Sequence, residues 1–83
     1  MKIWIVEGTT GEYSGHRYWV VCAYKSKQKA EDHVRNAMLR AKEIENSRES
    51  RYHAAEGINE FDPKMQMDYT GTEYYTIGCE LRS

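Results

Sequence analysis

The chain has 83 residues, 12 of them Lys or Arg and 13 Asp or Glu, which gives a net charge of −1 and leaves room for one small domain. Multi-domain enzymes are excluded, and a domain of this size buries only about 60 % of the surface its unfolded chain exposes, so oligomerisation is an early expectation. A hydrophobic content of 40 % with a single proline is too apolar for a disordered chain, yet no run approaches the ~20 apolar residues of a membrane span. Glu7 interrupts the opening apolar run before a signal-peptide core forms, so the expected location is cytoplasmic.

Residues 2–7 are rich in β-branched and aromatic types and read as a first strand. The glycines and hydroxyl residues that follow from Gly8 read as a loop of about eight residues, long for a hairpin. Residues 17–24 are apolar on both alternating faces and form a second strand. Ser26 is a helix N-cap candidate, and Ala30, Val34, Ala37, Met38, Ala41 and Ile44 follow in steps of three and four, so a long amphipathic helix is expected. The same phase runs on towards Tyr52 and Ala55, but Asn46, Ser47 and Ser50 weaken it, and an end between Asn46 and Ala55 is expected, with Gly57 as the final stop. Residues 59–71, which hold the only proline, read as an irregular connection. Residues 73–81 alternate cleanly as a third strand.

The order β-β-α-β predicts an α+β fold: a three-stranded antiparallel sheet in the order 2-1-3, with the helix on one face. The third strand's Tyr75, Ile77, Cys79 and Leu81 form the more apolar of its two faces. The opposite, uncovered sheet face is expected to carry Trp4, Val6, Tyr74 and Thr76 with either the Tyr18 or the Trp19 set of the second strand, an aromatic patch that a second copy would cover as a homodimer packed face to face or edge to edge.

Chemistry-bearing residues are sparse. Cys22 and Cys79 each lie in an apolar strand-like run and read as reduced, half-buried thiols. His16, His33 and His53 show no metal-ligand spacing, so no metal and no cofactor is expected, and His33 reads as a helix residue at the solvent edge. The glycine-rich stretch after the first strand lacks the Gly-Lys-Ser/Thr of a phosphate loop, and no helix begins there. Residues 25–51 carry eight basic and five acidic groups, whereas residues 52–83 carry two and six. A nucleic-acid reading would place Lys25, Lys27, Lys29, Arg35 and Arg40 on phosphates with sheet aromatics stacking on bases. An acid/base site is a further alternative, with His16, Asp68 and Glu73 converging at one end of the sheet beside Glu12 and Asp62.

The loops are the unusual feature. Glu12, Tyr13, His16 and Arg17 in one, and Asp62, Gln66, Asp68 and Tyr69 in the other, place tyrosines and charges where packing does not need them, and Tyr is a residue type favoured at contact surfaces. They read as a partner-binding surface. The stretches Thr10-Gly-Glu-Tyr-Ser14, leading to Trp19, and Asp62-Pro-Lys-Met-Gln-Met-Asp-Tyr-Thr-Gly-Thr72, leading to Tyr74 and Tyr75, resemble a group of small, mostly uncharacterised bacteriophage and prophage proteins. The resemblance implies an accessory protein, not an enzyme, that binds host machinery stoichiometrically, with inhibition of an antiviral defence such as a CRISPR effector as one expectation.

Overall fold

In a computed structural model, residues 1–48, 50 and 57–82 are described. Strand β1 (Lys2–Thr10) pairs antiparallel with β2 (Arg17–Tyr24) on one side and with β3 (Thr72–Glu80) on the other, so the sheet order is β2-β1-β3. A single helix, α1 (Lys27–Ser47), crosses one face. The α+β class, strand order and helix are those expected from the sequence.

The first strand runs three residues further than its sequence indicates. Gly8, Thr9 and Thr10 are strand, not turn, because each has a partner on both sides: Trp19, Tyr18 and Arg17 in β2, and Tyr74, Glu73 and Thr72 in β3. Gly8 is required by a close approach, since a Cβ there would lie 2.7 Å from the Trp19 indole. The turn is therefore short, a 3₁₀ turn at Tyr13–Gly15 preceded by Gly11 at φ +86°, where a Cβ would meet the Gly15 carbonyl.

The Ser26 hydroxyl accepts the Lys29 N–H at 3.2 Å and opens α1, as expected of an N-cap. At the other end the Ser47 hydroxyl donates to the Ile44 carbonyl and Arg48 turns extended. The helix thus stops at Ser47, where two weak helix formers meet. The expected continuation towards Tyr52 and Ala55 lies outside the described residues.

The helix stripe behaves as its periodicity requires: Ala30, Ala37, Ala41 and Ile44 are buried. The sheet face it covers is the reverse of the one expected. Val6 is 0 % exposed and Tyr74 5 % exposed, both beneath the helix, with Trp4 and Thr76 half-buried in the same alternating rows. The physical reason lies in size matching. An alanine stripe brings the helix close, and the sheet answers with the large ring of Tyr74, while Trp19 closes over Gly8. Ranking the two faces by hydrophobicity alone misses that complementarity. Strand β2 selects its inner side with a one-residue bulge at Val21, visible as the jump from the Val6–Cys22 pair to the Glu7–Val20 pair.

The roof has a second part. Phe61, Met65 and Met67 from the connection before β3 pack against Ala37, Ala41 and Tyr74, so the irregular stretch completes the core beside the helix. The opposite sheet face stays open. Tyr18, Val20, Tyr75 and Ile77 are exposed there, together with Glu73 and the Tyr75–Glu7 hydrogen bond at 3.0 Å. Cys79 is exposed on that face and is not half-buried as expected, whereas Cys22 is partly buried.

Candidate functional site

The end of the sheet at Thr10 and Thr72 gathers both loops. Thr10 points to the helix side, where its hydroxyl donates to the Gly71 carbonyl at 2.6 Å and accepts the Asp68 N–H at 3.0 Å. The Asp68 carboxylate takes the Thr70 N–H at 2.8 Å, and also its hydroxyl, while Gly11 N–H donates to that hydroxyl at 3.1 Å. Hydrogen bonding from the Thr70 hydroxyl holds the Asp68 carboxyl below the usual carboxylate range, with the Thr70 N–H, the Thr10 hydroxyl and the Arg17 charge adding to it against partial burial. Across the turn, Tyr69 donates its phenol to Glu12 at 2.6 Å.

A nearly buried guanidinium braces this end from below. The Arg48 side chain, 5 % exposed, donates to the Asp68 and Tyr69 carbonyls at 3.1 and 3.2 Å, so the helix terminus fixes the turn that presents Tyr69. Glu12, Glu45, Asn46, Arg48, Ser50, Tyr69 and Thr70 line a polar groove of about 600 Å³.

Of the residues expected to bind a partner, Glu12, Tyr13, Arg17, Asp68 and Tyr69 lie at this end, and His16 hydrogen-bonds the Thr9 hydroxyl beside it. Gln66 is exposed, and its carbonyl accepts the Thr72 hydroxyl at 2.6 Å. Asp62 is a correction. It is 3 % exposed and belongs to the core, because one of its oxygens accepts both the Trp19 indole N–H at 2.9 Å and the Tyr74 hydroxyl at 2.7 Å. Burial and that carboxylate push the Tyr74 phenol far above its ordinary range. Tyr13 stands out for the opposite reason: the residue is 92 % exposed and its backbone sits at φ +52°, a left-handed conformation that disfavours a bulky residue.

The proposed acid/base constellation is not assembled. His16 is anchored on Thr9 and Asp68 on Thr10, and successive strand residues point to opposite faces, so the sheet separates them. Glu73 is opposite Thr9, on the His16 side. The nucleic-acid surface is also divided. Lys27, Arg35 and Arg40 each lie within 4.0 Å of a helix carboxylate, and the exposed Tyr18 and Tyr75 are on the sheet face away from the helix. No group of three or more His, Cys, Asp or Glu among the described residues is arranged to hold a metal ion.

Several structural residues carried no legible sequence signal. His33 is not a solvent-edge residue: its Nε2–H donates to the Phe61 carbonyl at 2.6 Å, which leaves Nδ1 to accept the Tyr24 hydroxyl at 2.8 Å. Burial raises the Tyr24 phenol and, despite its contact with Tyr24, the Cys22 thiol. Asn59 is buried, donating to the Ala37 carbonyl at 3.1 Å and accepting the Phe61 N–H at 3.0 Å. Its position two residues before Phe61 is the spacing of an Asx turn, the one local cue that marks it.

No helix among the described residues is long and apolar enough to cross a membrane. No protein-family model matches the chain, and no curated protein or solved structure matches it significantly.

Proposed function

We propose that this chain is a non-catalytic binding protein that acts stoichiometrically, docking a protein partner on the sheet end formed by the 11–17 loop and the 66–71 turn. The observation that carries the reading is Tyr13. A tyrosine held left-handed and almost wholly in solvent costs stability, roughly 1–2 kcal/mol for the backbone alone, offset only by the turn bond in which its carbonyl accepts the His16 N–H at 3.1 Å, while the ring stands in solvent. Strain of this kind concentrates where a side chain serves recognition. Around it the Glu12–Tyr69 pair, the Arg48 brace and the Asp68 turn hold a rigid platform, so little ordering entropy remains to oppose docking.

The resemblance of the two loop stretches to phage proteins directs the proposal to a bacterial host protein inside the cell, with an antiviral effector such as a CRISPR nuclease complex as a candidate class. The test is paired affinity capture from bacterial lysate with the wild-type chain and Tyr13→Ala as matched baits. A polypeptide retained by the first and lost from the second supports the reading. Identical retention by both removes it.

A further inference from the structure

We propose that the free edge of β3 pairs antiparallel with β3 of a second copy about a two-fold axis at Gly78, making one continuous six-stranded sheet. This stands apart from the loop-end reading, and either can fail alone.

The two sheet edges are not equivalent. Strand β2 carries the Val21 bulge and is flanked by Phe61, Asp62, Pro63 and Lys64, both of which obstruct regular pairing. Strand β3 keeps an unbroken register with β1 over nine residues and contains neither Pro nor Lys, the usual protections of an edge. The Leu81 N–H donates to the Met1 carbonyl at 2.7 Å, which sets the odd-numbered residues of this strand towards β1 and the even-numbered ones outwards. Thr72 opens the outward set beside the loop end, and the next outward N–H, that of Tyr74, is already taken: it meets the Met38 sulfur at 3.2 Å. Thr76, Gly78 and Glu80 follow, and among the described residues no N–H of the three has a partner. Only the Glu80 carbonyl has a contact, a long one from the Cys79 thiol at 3.8 Å.

That free set is symmetric about Gly78. An antiparallel second copy centred there pairs Gly78 with Gly78 and Thr76 with Glu80 twice, so that each outward group from Thr76 to Glu80 finds its complement. On the open face the same register sets Ile77 opposite Cys79 and Tyr75 opposite Leu81, all four of them exposed in the single chain. Charge selects this register over its neighbour: a shift of the axis to Glu80 would oppose two glutamates, whereas at Gly78 each Glu80 faces a threonine. Six residues separate Gly78 from Thr72, so at ~3.3 Å per residue the two loop ends would stand roughly 40 Å apart at opposite ends of the dimer. An edge contact this short falls in the class of weak, reversible interfaces.

Sedimentation of the full chain from micromolar to submillimolar concentration should show a monomer–dimer equilibrium. Gly78→Pro removes the central edge donor and keeps the hydrogen bonds to β1, the flexible Lys2 side chain giving way where the added Cβ would stand 2.9 Å from it, and should weaken the dimer at least tenfold; circular dichroism checks that the variant is folded. A trap gives an independent readout. Residues 77 and 79 of the two copies form a non-hydrogen-bonded pair with Cα atoms about 4.5 Å apart, within disulfide reach. Ile77→Cys should therefore give covalent dimers with Cys79 of the second copy under oxidised glutathione, and Tyr75→Cys should not. A monomer at every concentration overturns the proposal. So does a dimer that Val20→Lys, on the far side of the open face, disrupts as strongly as Gly78→Pro, because that would mean face-to-face packing. Preferential trapping at Tyr75→Cys overturns the register.

Discussion

Asp62 offers a quantitative test of how this small core holds together. One carboxylate oxygen serves a buried donor, the Tyr74 hydroxyl, and a partly buried one, the Trp19 indole, and thereby ties the irregular stretch to both outer strands. Asp62→Ala orphans both, at roughly 1–3 kcal/mol each. Relief of the buried carboxylate's own desolvation offsets part of this, leaving a net loss of about 3 kcal/mol. At ~0.05–0.15 kcal/mol per residue, a domain of this length has a stability on the order of 4–12 kcal/mol, so the loss is large. Asp62→Asn keeps an acceptor oxygen and gives up only the charge assistance, about 1 kcal/mol. Urea unfolding followed by tryptophan fluorescence and circular dichroism measures both. Adding Tyr74→Phe to Asp62→Ala should cost less than the sum of the two single changes, since the orphaned hydroxyl is then gone. An alanine variant within about 0.5 kcal/mol of wild type, or an asparagine variant worse than alanine, would refute the account of the network.

Three further outcomes follow from the geometry. Gly8→Ala should destabilise by about 1–3 kcal/mol in the same unfolding assay, because its Cβ would stand 2.7 Å from the Trp19 ring between two paired strands. Tyr13→Gly should raise the melting temperature by a few degrees, since relief of left-handed strain outweighs the added backbone entropy by under about 1 kcal/mol, while abolishing partner capture. Asp68 has a folded pKa below its ordinary value, so its contribution to stability is complete above the unfolded pKa and is lost as pH falls through the folded one. Asp68→Asn should accordingly flatten the fall in stability below about pH 4, measured by urea unfolding across an acid series.

The elements written in local pattern were legible. The helix announced itself through Ser26 and the alanine stripe, and the strand order followed from the short menu of β-β-α-β topologies. What escaped were decisions made by partners distant in sequence. Gly8-Thr9-Thr10 has turn composition, yet two flanking strands make it a strand. The inner face was chosen by fitting Tyr74 beneath small helix residues while Trp19 closes over Gly8, a matter of shape that a hydrophobicity comparison of Tyr74 with Tyr75 does not resolve. At the candidate site, the proximity of the two tyrosine loops was foreseeable because both lead into the same sheet end. The Arg48 brace was not, since it links a helix terminus to backbone carbonyls twenty residues away. Asp62 and Asp68 have the same chemistry six residues apart. One is in the core and the other in the surface turn, and only the positions of Trp19 and Thr10 decide which.

Amide hydrogen exchange of the chain, alone and bound to its captured partner, tests the proposed recognition at the loop end of the sheet most directly. Slowed exchange confined to residues 11–17 and 66–71, with the outer helix face unchanged, is the expected result. Protection spread over residues 27–42, with the loops exchanging as freely as before, would contradict it.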